Sequence, residues 1–220
     1  ADVYASTRVE ARVLAWVGPR LPLAVPTWQI HAPNIIAYPR IVGTPAVTVT
    51  ASGPQWHIVD PAAPSPVFLD SFACMLAALQ AIPPAAEIPT TTIPEVRREL
   101  ADVMLATREA LRPSAALWSR WQRWLADDAL WPEHVALVHG DLHPGHMLLA
   151  ADGRLVGVLD WTEACFADPS IDLAMFFGCF GRAALAELLP RFAAAGGRTW
   201  PGLLAHAAER WAAFPALSAA

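Results

Sequence analysis

No lysine occurs among the 220 residues; all 15 basic side chains are arginines. No glycine-rich loop precedes the first helical stretch, so that part of the chain offers no backbone cradle for phosphates. Charged residues make up only 16% and hydrophobic ones 55%, so the supply of apolar surface does not limit a core. That is enough for one sizeable core or one and a half small domains. A net charge of −5 argues against a nucleic-acid partner. Cys74, Cys165 and Cys179 are odd in number and lack C-x-x-C spacing, which suits small core residues in a reducing cytoplasm. No apolar run approaches the ~20 residues of a membrane span, and no basic-then-apolar leader is visible.

The organising stretch is Leu137 to Asp172, LVHGDLHPGHMLLAADGRLVGVLDWTEACFADPSID. It opens with a polar loop, His139-Gly140-Asp141-Leu142-His143-Pro144-Gly145-His146. Two apolar runs follow, Met147–Ala150 and Leu155–Leu159, around Ala151-Asp152-Gly153-Arg154. Asp-Gly between such runs predicts a hairpin. A hairpin returns Asp160 to the neighbourhood of Asp141 and His146, so two carboxylates and an imidazole converge. Phosphoryl transfer suits this set, because it needs a carboxylate to orient and deprotonate the acceptor and ligands for a charge-neutralising metal. His139, His143 and His146 with Asp141 also fit a zinc-hydrolase cluster. His139 reads as a brace for the loop. Asp168 and Asp172 read as structural, holding backbone N–H groups at a helix start.

The pattern H-G-D-L-H-P-G-H, D-W-T-E-A and D-P-S-x-D resembles the macrolide 2′-phosphotransferases. These are members of the aminoglycoside phosphotransferase and protein-kinase-like superfamily. The resemblance implies an α+β, kinase-like fold, with Asp141 as catalytic base and His146 and Asp160 as Mg²⁺ ligands. His146 stands where those families usually place an asparagine. The resemblance also implies GTP or ATP as phosphoryl donor, and the 2′-hydroxyl of a macrolide's amino sugar as acceptor. Asp172 resembles the buried aspartate that anchors the catalytic loop of kinases. Such enzymes hold phosphates with a strand lysine paired to a helix glutamate. Glu10 resembles that glutamate, with a solvated surface residue as the other reading. The missing lysine and the Ala1 start are read as a missing N-terminal segment rather than a different phosphate-binding scheme.

In chain order, Thr7–Val17 predicts an amphipathic helix with Val9, Val13, Leu14 and Val17 on one side. Val25–Ile30 and Asn34–Tyr38 predict two strands around His31-Ala32-Pro33-Asn34. By resemblance, Tyr38-Pro39-Arg40-Ile41-Val42-Gly43 is the hinge. Tyr38 then guards the base pocket, and the Pro39 carbonyl and Ile41 N–H meet the purine. An ordinary strand end is the alternative. The implied division is residues 1–37 as a remnant of the nucleotide lobe, 38–43 as hinge and 44–220 as the helical catalytic lobe. Thr44–Pro66 reads as a loop or strand-like excursion. Helices follow at Val67–Ile82, from a Thr92–Glu95 capping box to Leu111, and at Ala115–Ala126. Two more run over Pro169–Phe180 and Arg182–Ala195, and a last one begins near Trp200-Pro201.

For the acceptor, the apolar run after Asp172 suits a large lactone better than a polycationic aminoglycoside. His143, Phe177 and Phe180 join Asp141 as candidate substrate contacts; core packing is the alternative for the two phenylalanines. The expected partners are a macrolide and a purine nucleoside triphosphate, with no nucleic acid and no membrane, in a monomer. Other readings are a related kinase for aminoglycosides or other sugar or amino-alcohol acceptors, or a protein that binds without turnover.

Overall fold

A computed structural model describes residues 3–32 and 34–217. Helix α1 (Val3–Val17) buries Val13, Leu14 and Val17, and Val9 packs against the same core. The chain then runs beside the central hairpin, where Ala24 bridges Gly157. Strands β1 (Ile30–Ala32) and β2 (Ile35–Ala37) pair antiparallel. They are shorter than the sequence predicts: residues 25–28 carry no ladder, where Pro26 has no N–H to donate, and Gln29 only gives its N–H to the Ala37 carbonyl at 2.8 Å. Pro33, in the expected turn, lies outside the described residues.

The proline-rich excursion contains β3 (Thr44–Pro45) and a hairpin of β4 (Val47–Thr50) with β5 (Gly53–Trp56). Helix α2 (Pro66–Gln80) starts at Ser65, whose side chain accepts from the Phe68 N–H. It is apolar nearly all round and forms the centre of the main core, with Phe68, Phe72 and Leu76 fully buried. Helix α3 (Ile93–Leu111) opens on the predicted Thr92–Glu95 capping box, with both reciprocal bonds formed. Helix α4 (Ala115–Ala126) is capped by Ser114. Trp121, Trp124 and Leu125 of α4 join Val96, Leu100 and Met104 of α3 in a second, smaller core.

Strand β6 (Ala136–Val138) leads into the polar loop. Strands β7 (Met147–Leu149) and β8 (Leu155–Val158) form the expected hairpin, with Met147 opposite Val158 and Gly153 at φ +89° in its turn. Strand β3 adds to its outer edge. Strand β9 (Cys165–Ala167) returns to pair with β6. The loop bearing His139–His146 and the segment bearing Asp160 are therefore pinned at both ends by short antiparallel pairs.

Helices α5 (Ser170–Ala194) and α6 (Leu203–Leu217) complete the fold. The two predicted helices around Gly181 are the legs of α5, broken at that residue (φ 81°, ψ 177°). Among the described residues, α5 is the one helix long and apolar enough by composition to cross a membrane. Its kink at Gly181, its Arg182, Glu187 and Arg191, and the burial of Leu173, Phe176, Leu185 and Leu188 mark it as a helix packed on α2 and α6. The last helix begins at Leu203, two residues beyond the predicted start, because Trp200 and Pro201 form a preceding turn.

Candidate active site

Asp172, fully buried in the first turn of α5, accepts the His139 N–H at 2.9 Å and the Gly140 N–H at 3.1 Å on its two oxygens. Burial pushes this carboxyl up to about 6, against the pull of the two N–H donors. His139 is the brace the sequence suggests. Its Nδ1 accepts the Asp141 N–H at 3.2 Å, so the ring proton sits on Nε2 and is donated to the Leu159 carbonyl at 2.9 Å. Burial drives its pKa down to about 4, which keeps the ring neutral. With both ring nitrogens engaged, His139 has none left for a metal, so the four-group zinc cluster loses one member.

The remaining groups converge as the hairpin requires. The Leu159 N–H donates to the His146 carbonyl at 2.9 Å, closing the open end of the ribbon. His146 Nδ1 donates to the Asp141 carbonyl at 3.0 Å and stands 3.8 Å from Asp141 Oδ2. Its Nε2 faces Asp160 Oδ2 at 3.6 Å. His143 Nδ1 accepts the Gly145 N–H, and its Nε2 lies 3.9 Å from Asp141 Oδ2. Partial burial, with His146 close by, lowers the pKa of His143. Asp141, His143 and His146 offer ligand atoms within 4.8 Å of one another. Asp160 adopts a left-handed backbone (φ 59°) that turns the chain out of β8, and the Thr162 hydroxyl lies 2.9 Å from its Oδ1.

Glu10 is no solvated surface residue. It is 9% exposed, and its Oε1 accepts the Trp161 N–H at 3.2 Å while Oε2 lies 3.3 Å from the Thr162 hydroxyl. Burial raises its pKa. Helix α1 is thus tied directly to the Asp160-Trp161-Thr162 turn. Glu10, Trp28, Tyr38, His146, Asp160 and Thr162 line one cleft of about 400 Å³. Pro39 and Ile41 are not part of this lining; Pro39 is exposed and Ile41 packs beside Gly157.

A second groove, of about 520 Å³, opens on the other side of the loop. Asp141, Glu163, Met175, Arg210, Trp211 and Phe214 are among its walls. Phe177 and Phe180, expected there, do not line it. Phe180 packs in the core against Phe68, Phe176 and Trp56, because its position on α5 faces α2. The apolar wall comes from Met175, four residues after Ile171 on α5, and from α6.

Sequence reasoning also missed a buried cluster beneath this groove. Asp168 Oδ2 accepts from His206 Nε2 at 2.8 Å and from Arg210 Nη1 at 2.9 Å, and its Oδ1 accepts the Ser170 N–H. Trp124 Nε1 donates to His206 Nδ1, which fixes that ring. The i, i+4 spacing of His206 and Arg210 was the available signal, since it places both on one helix face.

Gly140 is held at φ +89°, and a Cβ there would lie 2.5 Å from the Glu163 carbonyl oxygen. Gly140→Ala is expected to lose ~1–3 kcal/mol of stability and to misplace Asp141. Urea unfolding checks the first effect and kcat the second; an unchanged kcat overturns it.

Fold and site together define a kinase-like phosphotransferase. The chain belongs to the phosphotransferase enzyme family, whose profile matches residues 1–206. Its described structure superimposes on that of a macrolide 2′-phosphotransferase type I with a TM-score of 0.91 and 40% identity, covering 100% of this chain and 74% of that one. Macrolide 2′-phosphotransferase MphH from Brachybacterium faecium gives 0.89 and 38%, over 98% and 73%. The uncharacterized protein YcbJ of Bacillus subtilis (strain 168) is 39% identical over 98% of this chain and 72% of its own. A GDP complex of aminoglycoside 2′-phosphotransferase-IIIa shares the fold alone, at 0.69 and 16% over 97% and 74%.

Proposed function

We propose that the protein transfers the γ-phosphoryl of GTP or ATP to the 2′-hydroxyl of a macrolide's amino sugar. One observation carries the reading: His146 on the wall of one cleft stands 3.8 Å, Nδ1 to Oδ2, from Asp141 on the wall of the other. The nucleotide occupies the cleft bearing Glu10, Tyr38 and Asp160, and the antibiotic occupies the groove bearing Met175, Trp211 and Phe214. Residues 1–37 then serve as the nucleotide side, 38–43 as the hinge, of which Tyr38 lines the cleft, and 44–220 as the catalytic side. Asp141 orients the sugar hydroxyl and accepts its proton, while His143 borders the reacting group.

Mg²⁺ fits the carboxylate of Asp160, since that ion prefers oxygen, and the Nε2 of His146 faces the same point. When bound, the ion neutralises charge on the nucleotide phosphates. A large lactone is preferred to a polycation because the groove is walled mainly by apolar side chains, and burial of apolar area drives its binding. The closeness to two macrolide 2′-phosphotransferases supports the same acceptor. Phosphorylation adds bulk and charge to the sugar, which is the route to resistance.

The test is mass-spectrometric detection of phosphorylated product with GTP and ATP across macrolide, aminoglycoside and choline-like acceptors. Transfer to macrolides is expected, with much weaker or no transfer to the cationic acceptors. Transfer confined to an aminoglycoside or a small amino alcohol overturns the acceptor assignment.

A further inference from the structure

Gly178 lies in the first leg of α5 with ordinary helical backbone, unlike Gly181, whose φ of 81° calls for glycine. A glycine in such a place weakens a helix relative to alanine, so its own conformation gives no reason for it. The reason lies across the helix pair. A Cβ built on Gly178 would stand 2.4, 2.4 and 2.5 Å from three ring carbons of Trp211 on α6, far inside van der Waals contact. The indole therefore rests against the bare backbone of α5. Phe214 stacks on it, with ring centroids 4.9 Å apart and planes 20° from parallel. Both rings line the groove that holds Asp141, as do Ile171, Ala174 and Met175 of α5. Gly178 does not line it, but at i+4 from Ala174 and i+3 from Met175 it continues their stripe on one helix face. It stands about 9 Å along the axis from Asp172, whose carboxylate holds the catalytic loop.

We infer that Gly178 is a positioning residue that sets the width of the acceptor groove by seating Trp211. With no side chain at 178, the indole lies back against α5 and leaves room beside Met175 for a bulky apolar acceptor. A side chain there forces the ring off α5, and the stacked pair of Trp211 and Phe214 moves with it. The constraint falls on the part of the acceptor remote from the reacting hydroxyl. Acceptor size is therefore selected at this wall, while the groups around Asp141 keep their places. The groove's role as acceptor site rests on the function proposed above; the seat rests on the contact between the two helices alone.

The experiment compares Gly178→Ala, Trp211→Leu and the pair with the parent, each as the full chain. Urea unfolding needs no ligand. Alanine alone is expected to lower the midpoint, because overpacking against the indole outweighs its better helix preference. In the Trp211→Leu background the same alanine is expected to raise it. Steady-state transfer then reads the groove. In Gly178→Ala, KM for erythromycin is expected to rise ~10-fold, the scale on which one extra methyl group alters fit to an apolar pocket. Its kcat, and the KM for the free amino sugar desosamine, are expected to change little. With leucine at 211 the alanine is expected to leave KM for erythromycin as it was, since no indole remains to be displaced. A midpoint that rises in Gly178→Ala while Trp211 is present, or an unchanged KM for erythromycin, overturns the inference. If the parent transfers nothing to erythromycin, the proposed acceptor fails, while the urea comparison still decides whether Gly178 seats Trp211.

Discussion

Asp141→Ala is expected to lower kcat by ~10²–10⁴-fold, the span a positioned general base contributes, and to leave the fold standing. The side chain is 42% exposed, and its carboxylate comes no closer than 3.8 Å to His146 and 3.9 Å to His143. Those are electrostatic neighbours and not the hydrogen bonds of a structural residue. The loop keeps its shape through backbone groups of Asp141: its N–H on His139 and its carbonyl on His146. Thermal unfolding of the variant should therefore lie within ~0.5 kcal/mol of the parent, as for surface changes generally. The decisive split is in the kinetics. A fall in kcat with KM for the acceptor little changed places Asp141 at the reacting hydroxyl. Turnover retained near the parent rate would remove it from the reaction.

Asp168→Ala is the largest expected stability effect, a loss of ~3–5 kcal/mol, because breaking a buried pair strands its partners. Here two partners are stranded, Arg210 and His206, the second packed among Trp124, Trp131 and Trp200. The pH dependence follows with a definite sign. Burial alone would raise the Asp168 carboxyl, but the charge of Arg210 and the hydrogen bond from His206 more than offset it and hold the group at about 2. Its folded value lies below the ordinary 3.8. Its stabilisation is then fully present above the unfolded value and disappears as pH falls toward 2. At ~1.4 kcal/mol per unit this is ~2–3 kcal/mol. Urea midpoints taken from pH 7 down to pH 2 should show a shallower acid decline in the variant than in the parent. Parallel curves would mean that the pair does not respond to pH in this way.

The parts of the fold that the sequence made legible are those set by neighbours along the chain. Thr92 and Glu95 cap α3, Ser114 caps α4, and Asp152-Gly153 turns the hairpin, because each bond spans two or three residues. The meeting of Asp141, His146 and Asp160 was legible for the same reason: a tight turn and a period-two ribbon dictate where the ends return. Elsewhere the deciding contacts are distant in sequence. Asp168 meets His206 and Arg210 across 38 and 42 residues. Phe180 and Met175 look equally suited to a groove wall until α2 takes the phenylalanine into the core. Likewise residues 25–28 have strand-like composition, yet Pro26 interrupts the donors a ladder needs and pairing starts only at Gln29.

The left-handed backbone of Asp160 carries a further lesson. A side chain in that conformation pays ~1 kcal/mol that glycine would not. Asp160→Gly would relieve that strain, but it also widens the unfolded ensemble and removes the bond between the carboxylate and the Thr162 hydroxyl, so little net change in stability is expected. On the proposed role of Asp160 at the metal, the same change should cost turnover, so a left-handed aspartate is kept here at a strain that its carboxylate offsets through the Thr162 hydroxyl.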